Sequence, residues 1–232
     1  MEILDFLPPD PRHFETGIVV DLAQRQKISE MDRILVVCVK PYLQYMEELK
    51  RKYNFTKLIW LTEGGATFQE SMLNGVRFLE DKISREDIVL FHFGASPFIT
   101  GNIISDVIRV CSEKGNAIST TDFLLLSGKK KTTESTSSPN NFSDEYINRD
   151  TVAVMNTPHA FRYGFISDLY KEAIQTGIIN TVEPHTTTLM YAMGKPIFFS
   201  YGTQTNIKIT RKEDVDLFEG YVLMKQKRQK NT

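Results

Sequence analysis

Leu58-Ile59-Trp60-Leu61-Thr62-Glu63-Gly64-Gly65-Ala66-Thr67-Phe68-Gln69-Glu70-Ser71-Met72-Leu73-Asn74-Gly75-Val76-Arg77-Phe78-Leu79 reads as a strand, a glycine turn and a helix. Leu58 to Leu61 is a short apolar run rich in β-forming residues. Gly64-Gly65 ends it and is expected to carry the backbone through positive φ. Thr67 and Glu70 make the T-x-x-E pair that caps a helix start. Met72, Val76 and Leu79 follow at i, i+4 and i+7, which predicts one buried stripe. Such a turn brings free backbone N–H groups and the positive end of a helix dipole to one point, where phosphate binds well. The plainer reading is a tight strand-to-helix turn with Ser71 and Asn74 in solvent. Spacing alone does not separate the two.

The same rhythm extends outward. Arg33–Val39 is a near-continuous β-branched run, as expected of a strand covered on both faces. Pro41 sits just inside a helix predicted to reach Tyr53. Asp87–Phe93 is another buried strand, ended by Gly94-Ala95-Ser96-Pro97. The helix after Thr100 carries Ile104, Ile108 and Cys111 on one face and stops at Gly115. Asn116–Thr121 is the next strand. The alternation predicts an α/β fold with a parallel, right-handed sheet. Ser127–Asn148 breaks the rhythm with Lys129-Lys130-Lys131 and a run of Ser, Thr, Pro and Asn. It reads as a mobile arm or long loop, its lysines a solvated tip or a phosphate contact.

Val152–Met155 then reads as a strand, Phe161–Gln175 as a helix, Thr186–Met193 as a short helix and Pro196–Tyr201 as a strand. Thr210 and Glu213 form a second capping box before the last helix. The tail from Lys225 is basic and expected to fray. At the other end, Met1–Thr16 contains Pro8, Pro9 and Pro11 and reads as irregular, and Gly17–Gln26 as strand or helix.

A chain of 232 residues, 41% hydrophobic and 25% charged, fits one soluble domain with a substantial core. A net charge of −1 argues against nucleic acid as the main ligand. Cys38 and Cys111 lie in apolar runs and read as core thiols of a reducing cytoplasm. No apolar run approaches the ~20 residues of a membrane span, and no signal segment is recognisable. The expected location is therefore cytoplasmic, with no membrane partner. His159 and His185 lack companions at metal-ligand spacing and read as incidental. Asp122 and Glu183 are acidic loop residues near the sheet's carboxyl edge, and either could serve a metal.

Four segments, in order, resemble one family. Gly64-Gly65 through Ser71 and Asn74-Gly75 is similar to its G-G-x-x-R-x-x-S-x-x-N-G. Asp87 through His92 and Pro97-Phe98 is similar to its D-x-V-x-x-H-D-A-x-R-P-F. Thr157-Pro158-His159-Ala160-Phe161 is similar to its T-P-Q-x-F. Gly202 through Asn206-Ile207-Lys208-Ile209-Thr210 and Glu213-Asp214 is similar to its G-x-x-x-N-I-K-x-T-x-x-E-D. The family is that of the 2-C-methyl-D-erythritol 4-phosphate and ribitol-5-phosphate cytidylyltransferases, and the likeness covers roughly residues 6 to 224. It implies a Rossmann-like nucleotidyltransferase fold, a three-layer sandwich with a mostly parallel sheet and a protruding arm. Residues 1–232 would form a single domain, with 124–154 as the arm that dimerises. It implies CMP transfer from CTP to a polyol phosphate with Mg²⁺, releasing pyrophosphate. By position, Gly64, Gly65 and Ser71 would face the nucleotide. Arg149, Thr157 and Lys208 would face the acceptor phosphate, with Lys208 also catalytic. His92 matches the family histidine, although a buried histidine bonded to backbone is the plainer reading.

Departures from the pattern remove charge. Phe68 stands at the family's arginine position, Ser96 at another, and Phe93 and Thr205 at its two metal-binding aspartates. No metal ligand is therefore assigned. Phe6-Leu7-Pro8 aligns just after the family's P-K-Q, so the glycine-rich triphosphate loop L-A-A-G-x-G-x-R-M is expected to be absent. Two functions stand: a divergent transferase with impaired turnover, or a non-catalytic binding or scaffold protein of the same family. The alignment also leaves Arg33–Val39 and Asp87–Phe93 about two strand spacings apart, ~9.5 Å. Each backbone group left unpaired there would cost about 1–3 kcal/mol. Direct pairing of Ile34–Val37 with Ile88–Phe91 is the expected closure. The alternatives are insertion of Glu2–Leu7 or of a partner's strand.

Overall fold

A computed structural model describes residues 2–6, 27–132 and 141–230. The sheet is built from β1 (Glu2–Phe6), β2 (Ile34–Cys38), β3 (Leu58–Glu63), β4 (Ile88–Phe93), β5 (Asn116–Asp122), β10 (Ala153–Arg162) and β11 (Phe199–Tyr201). Their order is β11-β5-β10-β4-β1-β2-β3. The helices are α1 (Leu43–Lys52), α2 (Phe68–Phe78), α3 (Gly101–Lys114), α4 (Tyr163–Thr176), α5 (Thr186–Ala192) and α6 (Lys212–Lys230).

The expected closure of the sheet is overturned. β1 lies between β2 and β4, parallel to both, with Glu2–Phe6 paired to Ile34–Cys38 and Glu2–Asp5 to Leu90–Phe93. A strand this short suffices, because β2 is itself only five residues long. Five residues thus fill the gap between β2 and β4 and pair with both. The readings for Pro8 onward and for Gly17–Gln26 fall outside the described residues.

The sheet is mixed rather than all parallel. β10 runs antiparallel to both β4 and β5. It also continues past the expected stop at Met155, through Thr157-Pro158-His159, to Arg162. Phe161 is therefore a strand residue, not the start of a helix. Its side chain is fully buried and its ring packs at a tilt against Phe91, 5.1 Å between centres, and α4 begins at Tyr163.

Alternation along the strands divides the core into two layers. Leu35, Val37, Phe91 and Phe161 pack against Met72 and Val76 of α2 and against Leu169, Tyr170 and Leu189 of α4 and α5. Ile34, Val36 and Cys38 point to the opposite face, against Met46 and Leu49 of α1. On that face Leu90 and Ala160 meet Ile103, Ile104 and Val107 of α3. Helices cover both faces, which is why these strands read as unbroken apolar runs. Both cysteines are buried and neither forms a disulfide. Burial pushes the Cys111 thiol up to about 12.

The described residues after β5 form an antiparallel ribbon rather than a long loop. β6 (Ser127–Gly128) pairs with β9 (Tyr146–Ile147), and β7 (Lys131–Thr132) with β8 (Asn141–Phe142). Lys129 pairs with Glu145 and Lys131 with Asp144, so these lysines are a solvated, ion-paired tip. The second capping box is also corrected. The Asp214 carboxylate, not Glu213, accepts from the N–H groups of Thr210 at 2.8 Å and Arg211 at 2.7 Å. Those donors hold its pKa below the usual carboxylate value. The tail from Lys225 continues α6 to Lys230. The helix is anchored by Phe218 and Tyr221, whose rings lie 4.9 and 4.4 Å from Phe98.

Candidate active site at the carboxyl edge of the sheet

The strand-to-helix turn of β3 and α2 is a constructed feature. Thr67 Oγ1 accepts from the Glu70 N–H at 3.1 Å, and the Glu70 carboxylate accepts from the Ala66 N–H at 2.7 Å. The Gly65 N–H donates to Ser71 Oγ at 3.1 Å, and the Gly64 N–H to the Cys38 carbonyl at 2.9 Å. Ser71 is buried rather than in solvent, and Asn74 reaches back to the Glu63 carbonyl. The expectation of positive φ at Gly64 and Gly65 is wrong: among the described glycines only 115, 177 and 194 adopt it. Close approach explains both residues instead. A Cβ on Gly65 would lie 2.2 Å from Glu70 Cβ, and one on Gly64 would lie 2.9 Å from Ser71 Oγ.

Beside this turn, β4 delivers His92 and Phe93. His92 Nε2 lies 2.9 Å from the Ser96 carbonyl and the residue is buried, which fits the backbone-bonded reading. Phe93 is the hub of an aromatic group. Its ring lies 4.7 Å edge-on from Phe68 and 6.2 Å from His159, and Phe68 lies 5.4 Å from His185. The Lys208 ammonium sits 4.5 Å from the Phe93 ring centre, within cation–π range.

Lys208 is held there by its neighbours. The Ile209 N–H donates to the Ala95 carbonyl at 2.8 Å, which ties this segment to the turn after β4. Asn206 donates to the Thr157 carbonyl at 2.6 Å, and Asn156 donates to the Asn206 carbonyl. Thr157 and Lys208 are therefore brought to one edge, next to the turn carrying Gly64, Gly65 and Ser71. Arg149 is not: it lies in the arm, where its guanidinium donates to the Leu124 carbonyl.

Four buried side-chain atoms here have no hydrogen-bond partner among the described residues: Ser96 Oγ, Thr157 Oγ1, His159 Nδ1 and Asn206 Oδ1. Burial, with a smaller push from His185, depresses the His159 pKa to about 4 and keeps the ring neutral near pH 7. His159 and His185 are thus structural neighbours of the Phe68–Phe93 pair. Spacing gave no signal of this, because the two reach the site from a strand and from a helix start. Glu183 lies 3.6 Å from His185 and Asp122 ends β5. Neither joins a metal-binding group among the described residues.

The Mg²⁺ implied by the resemblance does not fit this set of side chains. A hard cation requires oxygen ligands, carboxylates above all. Phenylalanine supplies none at position 93, and Thr205 is bonded to Thr203, oxygen to oxygen at 3.0 Å. Among the described residues, no three His, Cys, Asp or Glu side chains converge.

Comparison with known proteins accords with this architecture. The chain is 32% identical over 212 residues to a ribitol-5-phosphate cytidylyltransferase of Lacticaseibacillus paracasei, covering 90% of this chain and 86% of that protein. It is 30% identical over 199 residues to a 2-C-methyl-D-erythritol 4-phosphate cytidylyltransferase of Clostridium novyi, covering 85% and 80%. The crystal structure of a 4-diphosphocytidyl-2C-methyl-D-erythritol synthase from Anaerococcus prevotii superposes with a TM-score of 0.75 at 20% identity, over 96% and 97% of the two chains. The Thermus thermophilus 2-C-methyl-D-erythritol 4-phosphate cytidylyltransferase superposes at 0.71 and 21%, over 95% and 97%. Both structures share the nucleotidyltransferase Rossmann-like fold. Residues 16–224 match the family described as IspD, 2-C-methyl-D-erythritol 4-phosphate cytidylyltransferase, and the chain belongs to that family.

Proposed function

We propose that this chain takes CTP and a polyol phosphate at the carboxyl edge of its sheet, as a cytoplasmic homodimer, and that its transfer of CMP is strongly impaired. The family reaction is in-line attack of an acceptor phosphate oxygen on the α-phosphorus of CTP. A P–O bond to CMP forms as the bond to pyrophosphate breaks. Charge on the phosphoryl oxygens must be neutralised by fixed cations and dipoles. The observation that carries the reading is the Phe68–Phe93 pair, at positions where the family resemblance expects an arginine and a carboxylate, with Lys208 resting on the Phe93 ring. Lys208 would orient the acceptor phosphate and neutralise part of its charge. Thr157 would help hold that phosphate, while Gly64, Gly65 and Ser71 would shape the nucleotide side. Arg149 would contribute only if the arm of one protomer reached the site of another.

Pyrophosphate release tests this, with CTP, MgCl₂ and either ribitol 5-phosphate or methylerythritol phosphate. No release above background is expected. A steady rate within about a thousandfold of an ordinary ~10 s⁻¹ turnover overturns the proposal. The same aromatic pair favours a second reading, a family member that binds ligand without turnover.

A further inference from the structure

We propose that Asn156 is a positioning residue: it couples a bulge in β10 to the segment that carries Lys208, and so sets where the ammonium stands. The inference goes beyond the reading above and rests on it only for the use to which Lys208 is put.

Residues 202–211 join β11 to α6 without helix or strand of their own. Lysine is a charge on a flexible four-carbon stem, and a ring face holds an exposed ammonium only weakly. The contact of Lys208 with Phe93, 4.5 Å to the ring centre, therefore cannot place the segment. The main chain beneath it must be placed first. Two backbone bonds contribute. The Asn206 N–H donates to the Thr203 carbonyl at 3.1 Å, within the segment, and the Ile209 N–H to the Ala95 carbonyl at 2.8 Å, in the turn after β4. The side of the segment that faces β10 is held by side chains.

β10 supplies that hold through an irregularity. Asn156 pairs with Ser119 and His159 with Ile118, so Thr157 and Pro158 face no residue of β5. Pairing with β4 starts only at His159. Such a bulge leaves main-chain groups out of the ladder, and buried ones must find other partners. Thr157 is buried. Its N–H donates to Asn156 Oδ1 at 2.8 Å, and its carbonyl accepts from Asn206 Nδ2 at 2.6 Å. With Oδ1 engaged, the Asn156 amide is oriented and Nδ2 donates to the Asn206 carbonyl. The two asparagines thus exchange bonds between β10 and the segment. Satisfying the bulge needs only the two bonds to Thr157. The third, from Asn156 to Asn206, adds nothing there; it fixes the main chain two residues before Lys208.

NMR of the full chain tests the proposal. Ring current shifts protons above a ring face upfield, so the Lys208 ε-methylene should be displaced upfield in the parent. Phe93→Leu removes the ring and assigns that displacement. Asn156→Asp keeps an oxygen for the Thr157 N–H but sets the other against the Asn206 carbonyl, and Asn156→Ala removes the donor without adding charge. Both should lose most of the Lys208 displacement. In both, the backbone order parameter at Lys208 should fall from about 0.85 to below about 0.6, while those at Val36 and Leu90 stay near ~0.85. Loss of stability alone moves neither readout, because both report on the folded state. A Lys208 resonance or order parameter that is unchanged in both variants overturns the proposal. So does a parent whose Lys208 resonance Phe93→Leu leaves in place. Failure of both Asn156 variants to fold also overturns it, by making the residue merely structural. Pyrophosphate release judges the reading beneath separately.

Discussion

Replacing Gly65 by alanine tests whether close approach, not backbone conformation, demands glycine at the turn. The added Cβ would meet Glu70 Cβ at 2.2 Å, Glu70 Oε2 at 2.9 Å and the Glu70 backbone carbon at 3.0 Å. An ordinary carbon–carbon contact is about 3.5–4.0 Å, so the turn or the helix must move by more than an ångström. Glu70 cannot yield cheaply, since it sits in the first turn of α2 and its carboxylate holds the Ala66 N–H. Moving apart also strains the Gly65–Ser71 hydrogen bond. Overpacking of this kind costs about 1–3 kcal/mol, and each weakened hydrogen bond about 1 kcal/mol. A total near 3 kcal/mol lowers Tm by about 6–12 °C, at about 2–4 °C per kcal/mol for a chain of this size. Gly101→Ala is the matched control. It lies in the first turn of α3 with nothing within 4 Å of the added carbon, and should be neutral or stabilising by up to about 1 kcal/mol. Thermal unfolding followed by circular dichroism compares the two. A Gly65→Ala protein melting within about 2 °C of the parent would refute the close-approach argument.

The remaining predictions concern pH and association. The folded pKa of His159, about 4, lies below its unfolded value of 6.5, so between these values the unfolded chain binds the extra proton. Stability should therefore fall as pH drops from about 6.5 towards 4, by about 3 kcal/mol in all. His159→Gln should flatten that dependence in urea titrations, and an equally steep loss in the variant would count against the assignment. If the ribbon from β6 to β9 makes the dimer, deleting residues 129–141 should yield monomers in light scattering. The exposed Leu125 and Leu126 just before β6, and Tyr146 of β9, suit burial against a second copy. A deletion variant that stays dimeric would place the interface elsewhere.

Much of the architecture was legible because local rules and tertiary structure agree. The runs at Ile34–Cys38 and Ile88–Phe93 announced strands covered on both faces, and the Met72–Val76 stripe announced the buried face of α2. The T-x-x-E signature located the N-terminus of α2 because a cap is satisfied within a single turn of chain. The four-segment resemblance named the family.

Other features depend on partners distant in sequence, and only the folded chain decided them. Direct pairing of β2 with β4 was expected, yet β1 lies between them, and pairing on both sides makes five residues sufficient. β10 runs past the expected end at Met155, through Thr157-Pro158-His159, because ladders from β4 and β5 hold it. Gly64 and Gly65 owe their identity to contacts with Ser71 and Glu70, not to a backbone angle that sequence can signal. His159 and His185 looked incidental for the same reason: the group around Phe93 forms only where strand ends, a helix start and the segment carrying Lys208 converge. Periodicity and capping act over a few residues and are written locally, whereas close approach, strand insertion and the assembly of the aromatic group around Phe93 require the chain to fold first.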